Sequence, residues 1–125
     1  MDYRELYDMA KKASSNAYAP YSKFKVGAAL MARNGKIYTG VNVENSSFGA
    51  TICAERTAFV KAISEGEREF EALAVYGSGG EALPCGICRQ FMYEFAPDIM
   101  VITGEDEQHL NVRALNKLLP EGFSL

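Results

Sequence analysis

Cys53-Ala54-Glu55-Arg56-Thr57-Ala58 and Pro84-Cys85-Gly86-Ile87-Cys88 hold all three cysteines of the chain. A Cys-x-x-Cys with one remote Cys offers three thiolates to a tetrahedral zinc and leaves a fourth position open, where zinc holds a reactive water. On a helix, Cys85 and Cys88 at i and i+3 share one face, so both sulfurs can reach one ion at about 2.3 Å. Cys53 has to come from a second element. Residues at i and i+2 point apart in a regular helix, so Cys53 and Glu55 turn toward the same ion only if a helix begins at or near Cys53.

Helix starts suit the chemistry as well as the geometry. Their partial positive charge and free N–H groups favour thiolate over thiol. Three thiolates still outweigh the charge of Zn²⁺, so the ion is a poorer Lewis acid than one held by neutral imidazoles, and a compensating cation is expected. Arg56, one residue after Glu55, is the candidate for hydrogen-bonding a ligand sulfur. Glu55 is not a ligand in this scheme. To expel an amine from an amidine-like ring, the ring nitrogen and then the leaving amine must each be protonated, and one mobile carboxylate can perform both transfers.

Outward from these segments, Ile52 to Glu65 reads as a helix. Its Ala54, Ala58, Phe59, Val60, Ala62 and Ile63 cover more than one stripe, which implies burial on more than one side. Pro84 suits the start of the helix that carries the Cys pair. Asp2 with Glu5 three residues on, then Leu6, Met9, Ala10, Ala13 and Ala17, predict a capped amphipathic helix ending before Pro20. Phe24 to Ala32 and Lys36 to Val43, joined by Arg33-Asn34-Gly35, predict a hairpin in which Asn-Gly takes positive φ angles. Glu71 to Gly77 and Asp98 to Thr103 read as strands, Ser78-Gly79-Gly80 as a loop and Val112 to Leu119 as a short helix. Strands alternating with helices after a hairpin predict one mixed sheet covered by helices, in the α/β manner.

With 125 residues, 48% of them hydrophobic, the chain suffices for a single domain over residues 1–125 with a modest core. A net charge of -3, with both signs mixed along the chain, gives no footprint for nucleic acid or an anionic membrane, and favours a small-molecule partner. The acidic, periodic N-terminal residues are not a secretory signal, and no apolar run approaches a membrane span. An odd number of cysteines then reads as metal ligands or thiols in a reducing compartment, with the cytoplasm the expected location.

Plainer readings compete at several positions. A lone Cys-x-x-Cys is often a structural zinc knuckle or a redox pair. A structural site wants a fourth ligand, and the only imidazole, His109, stands in the polar run Glu105-Asp106-Glu107-Gln108. A redox pair leaves Cys53 and Glu55 unexplained. Asn42 and Glu44 alternate with Val41 and Val43 and fit the wet face of a sheet. Arg56 fits a surface helix charge, and Phe24 and Phe123 fit core positions.

At Cys53 to Ala58 and at Pro84-Cys85-Gly86-Ile87-Cys88-Arg89-Gln90 the chain resembles the small cytidine deaminases that bind zinc through three cysteines. The resemblance runs through Ala19 to Ala29, Gly40-Val41-Asn42-Val43-Glu44-Asn45 and Leu118 to Phe123, in the same order, and covers nearly the whole length. It implies a three-layer α/β/α fold with a five-stranded mixed sheet and one Zn²⁺ per chain on Cys53, Cys85 and Cys88. Glu55 would be the proton shuttle, Arg56 a support to the ligands, and Phe24, Asn42, Glu44, Ala54 and Phe123 would bind substrate. It also implies a homotetramer in which Phe123 completes a neighbour's pocket. The activity so implied is hydrolytic deamination of cytidine and 2′-deoxycytidine in pyrimidine salvage. The chain departs from the family pattern at Val41, Phe48 and the short Ser78-Gly79-Gly80 loop. A deaminase of a modified cytosine nucleoside such as blasticidin S shares the Cys-Ala-Glu and Pro-Cys-Gly-x-Cys-Arg segments and is the nearest alternative. A zinc-stabilised binding module without catalysis is the other.

Overall fold

Asp2 starts the first helix, α1 (Tyr3–Ala13), by accepting the Glu5 N–H on Oδ1 at 2.8 Å. Leu6, Tyr7 and Ala10 form its buried stripe, and a 3-10 turn at Ser14–Asn16 closes it ahead of Pro20. A computed structural model describes residues 1–125 and carries this helix on one face of a five-stranded sheet.

The hairpin is β1 (Val26–Ala32) and β2 (Ile37–Val41), antiparallel with Ala29 opposite Thr39. Its turn differs from the one expected. Gly35 alone takes positive φ, at 93°, while the Asn34 side chain accepts the Lys36 N–H at 2.9 Å. The turn is wider than a two-residue Asn-Gly turn, so the second strand starts at Ile37.

Then follow α2 (Ala54–Ser64), β3 (Phe70–Gly77), α3 (Gly86–Phe95), β4 (Met100–Gly104), β5 (Leu110–Ala114) and a short α4 (Leu115–Leu118). The strand order is β2-β1-β3-β4-β5, with β3 and β4 parallel and the other neighbours antiparallel. β5 corrects the sequence reading, which placed a helix over Val112 to Leu119. Leu110, Val112 and Ala114 alternate with Asn111 and Arg113, and β4 supplies a ladder for their backbone. Only Leu115–Leu118 is helical.

The core lies in two sheets of side chains. Leu6, Tyr7 and Ala10 meet Ala29, Ala72, Ala74 and Ile102 on the α1 face. On the other face, α2 and α3 bring Ala58, Phe59, Cys88 and Met92 against Leu30, Leu73, Val75 and Val101. The result is the three-layer α/β/α arrangement with a five-stranded mixed sheet. Gly40 on β2 is what lets α2 lie so close, since a Cβ there would run into the Ala58 nitrogen and the Ala54 carbonyl. Within one chain α2 buries only the stripe Ala54, Glu55, Ala58, Phe59 and Ala62. Val60 stays 47% exposed because no element of the chain covers that flank. No helix is long and apolar enough to cross a membrane.

Candidate active site

Both cysteine segments end as helix N-caps. Cys53 caps α2 and Cys85 caps α3, each with extended backbone and no side-chain capping hydrogen bond, so neither sulfur is spent on its own helix. Cys88 lies in the first turn of α3 and is fully buried. The three Sγ atoms lie within 4.8 Å of one another. A tetrahedral zinc holds its sulfurs about 3.8 Å apart, so a small inward adjustment brings all three to one ion. The only imidazole is elsewhere: His109 is exposed and pairs with Asp106 at 2.8 Å.

The charges around the sulfurs agree with a cation held by thiolates. The Arg56 guanidinium reaches the Cys53 Sγ at 3.8 Å and the Thr51 carbonyl at 3.2 Å. Its Nε is buried with no hydrogen-bond partner. A half-buried cation with an idle buried donor is costly beside neutral thiols and well placed beside thiolates. The Cys88 hydrogen bond and then Arg56 hold the Cys53 thiol down to about 5, while the Cys53 interaction and burial push Cys88 up. The sulfurs thus compete for protons that a divalent cation would displace. The donor set, its helix-terminal placement and the adjacent guanidinium fit zinc.

Glu55, the second residue of α2, turns inward with 4% exposure, and no other side chain hydrogen-bonds it. Burial, with the negative charge of Cys53, raises its carboxyl to about 7. It lines a cavity of about 350 Å³ together with Cys53, Ala54 and Cys85. Phe24, Asn42 and Glu44 line the same cavity. Asn42 is buried and holds the hairpin entry, with its Oδ1 accepting the Val26 N–H and its Nδ2 donating to the Phe24 carbonyl, both at 2.9 Å. Asn42 is not the solvated strand face that the alternation allowed, whereas Glu44 is half-exposed at the cavity wall. Arg56 is likewise turned to the sulfurs instead of out to solvent.

Phe123 is the exception. It is 64% exposed and does not line the cavity of its own chain; its backbone is held by Gln90. Ser22 and Glu81 line the cavity without having been singled out in the sequence. Ser22 donates from N and Oγ to Glu44, at 3.1 and 2.5 Å, and Tyr21 N adds a third bond at 3.0 Å, which holds the Glu44 carboxyl below its usual range.

Thiols at two helix starts, with a buried carboxyl over a small cavity, define a zinc-dependent enzyme on a three-layer α/β/α frame. A family model described as "Cytidine and deoxycytidylate deaminase zinc-binding region" matches residues 1–103, and the chain belongs to that family. A cytidine deaminase of Sporosarcina psychrophila is 49% identical over 99% of this chain and 93% of that protein. A probable cytidine deaminase of Dictyostelium discoideum is 47% identical over 94% of this chain and 80% of that protein. Among solved structures, cytidine deaminase from Burkholderia pseudomallei superposes with a TM-score of 0.93 at 46% identity, covering 98% of this chain and 100% of that one. The chain is an enzyme of the deaminase class with zinc as its cofactor, one ion per chain.

Proposed function

We propose that the protein deaminates cytidine and 2′-deoxycytidine hydrolytically, releasing ammonia, with Cys53, Cys85 and Cys88 as the zinc ligands. The observation that carries this reading is the convergence of three sulfurs from the N-terminal ends of two helices, with Cys53, Cys85 and the inward-facing Glu55 on one cavity. Zinc, when bound, supplies the Lewis acidity that makes water a nucleophile at neutral pH. Glu55 moves two protons in turn, the first from the attacking water to the ring nitrogen and the second from the resulting C4 hydroxyl to the departing amine, a double duty that its buried carboxyl, free of other side chains, allows. Arg56 offsets the thiolate charge. Asn42 and Glu44 have hydrogen-bonding capacity left for ribose hydroxyls after their own-chain bonds, and Phe24 and Ala54 supply apolar contact to the nucleoside.

An exposed Phe123 that leaves its own cavity alone supports a homotetramer in which it reaches a neighbour's cavity. We place the enzyme in pyrimidine salvage in the cytoplasm. The deciding experiment follows the loss of ultraviolet absorbance of cytidine with purified protein, a metal-chelated sample and Glu55→Gln. Conversion should require the metal, and Glu55→Gln should keep its zinc yet lose roughly 10²–10⁴-fold in rate. A zinc-loaded Glu55→Gln protein that matched the parent would remove Glu55 from the mechanism.

A further inference from the structure

The loop between β3 and α3 carries Pro84 and Cys85 to the site, yet no backbone–backbone hydrogen bond engages residues 79–84. Side chains hold it instead. Glu81 Oε2 accepts from Thr103 Oγ1 at 2.5 Å, from Asn111 Nδ2 at 2.8 Å and from Arg113 Nη2 at 3.1 Å. Arg113 also donates to Thr103 Oγ1 at 3.2 Å, so β4, β5 and the loop share one network. The three donors keep the Glu81 carboxyl below its usual range. The Thr103 contact is the buried one, since Thr103 is 1% exposed, whereas Arg113 and Glu81 side chains are 39% and 25% exposed. At the far end of the same loop, Arg89 Nε donates to the Pro84 carbonyl at 2.8 Å.

We propose that Glu81 is a positioning residue, whose carboxylate ties the Cys85 loop to β4 and β5 and thereby fixes the third sulfur and the adjoining cavity wall. The proposal rests on the reading of Cys85 as a zinc ligand of the deaminase site. The loop has no backbone ladder of its own, so these side chains are its polar ties to β4 and β5, while the Arg89 N–H holds the Cys85 carbonyl at 2.9 Å at the start of α3. Residues that orient ligands from a distance commonly change metal affinity by about 10–100-fold, and a small misplacement remote from the chemistry lowers turnover.

The test measures zinc release to a chromogenic chelator and cytidine turnover for the parent, Glu81→Ala and Glu81→Gln. Glu81→Ala should release zinc at least about 10-fold faster, with kcat falling more than KM rises. Glu81→Gln keeps an oxygen that accepts from the same three donors and should release zinc close to the parent rate. Parent-like zinc release from Glu81→Ala overturns the proposal, whether only the melting temperature falls or only KM rises; the latter would make Glu81 a substrate contact. Zinc release from Glu81→Gln as fast as from Glu81→Ala overturns it too, since charge and not the tie would then be responsible. Should Glu81→Ala fail to fold, Thr103→Val with Asn111→Ala removes two donors and gives the same readout. A zinc-loaded parent that converts no cytidine would overturn the proposed function and still leave the zinc-release comparison to decide the role of Glu81.

Discussion

Arg56 is a half-buried guanidinium with one buried donor left idle. Its Nη2 finds the Thr51 carbonyl and the Cys53 sulfur, and its Nε finds nothing. Such a deficit is tolerable where the neighbouring sulfurs are anionic, which a zinc-loaded site makes them. Arg56→Gln should therefore retain the fold by circular dichroism but bind zinc about 10–100-fold more weakly in a chelator competition. Unchanged zinc affinity would reduce Arg56 to a packing role. The residue could be found in the sequence because a charge next to Glu55 in an otherwise apolar helix asks for a partner. Glu81 could not, because Thr103, Asn111 and Arg113 lie well beyond it in the chain and no local spacing links them. The Ser22 and Glu44 clamp was hidden for the same reason. Side-chain networks that close over sequence distance leave no periodic trace.

Elements were legible where their own residues decide them. Asp2 with Glu5 marks the start of α1, and the need for Cys53 and Glu55 to converge puts the start of α2 at or near Cys53, which is its N-cap. β5 was not legible, since Val112, Leu115 and Leu119 stand at helical spacing and the strand exists because β4 offers it a ladder. Its five-strand total came only through family resemblance. The contact that aims α2 at the site is its approach to β2 over Gly40. Gly40→Ala forces the Ala54 and Ala58 backbone away from the sheet, and with it the N-terminus that carries Cys53 and Glu55. A loss of roughly 1–3 kcal/mol in urea unfolding is expected, as for overpacked cores. Gly49→Ala is the matched control, because nothing lies within 4 Å of a Cβ added there. Equal midpoints for the two variants would show that α2 yields without cost.

At the scale of the molecule, the two faces of the sheet are unequal. The α1 face is closed by one amphipathic helix, whereas the α2 and α3 face leaves Val60 and Ile87 exposed, along with Phe48 before α2 and Phe123 near the end of the chain. The near-continuous apolar character of α2 pointed to burial on more than one side, and a single chain meets that demand on one side only. Burying such side chains in an interface is favourable by roughly 1.5–3 kcal/mol each when burial is complete, and the net charge of -3 is small enough for copies to associate. With the proposed homotetramer, light scattering should give a mass four times the 13.7 kDa of one chain. Phe123 provides the functional check, because it lies outside its own cavity and in the proposed tetramer would reach a neighbour's. Phe123→Ala should leave zinc content unchanged and raise KM for cytidine more than it lowers kcat, since a lost contact to bound nucleoside is a loss of uniform binding. A monomeric mass, or a Phe123→Ala tetramer with parental KM, would confine the cavity to one chain and leave the exposed flank of α2 to some other partner.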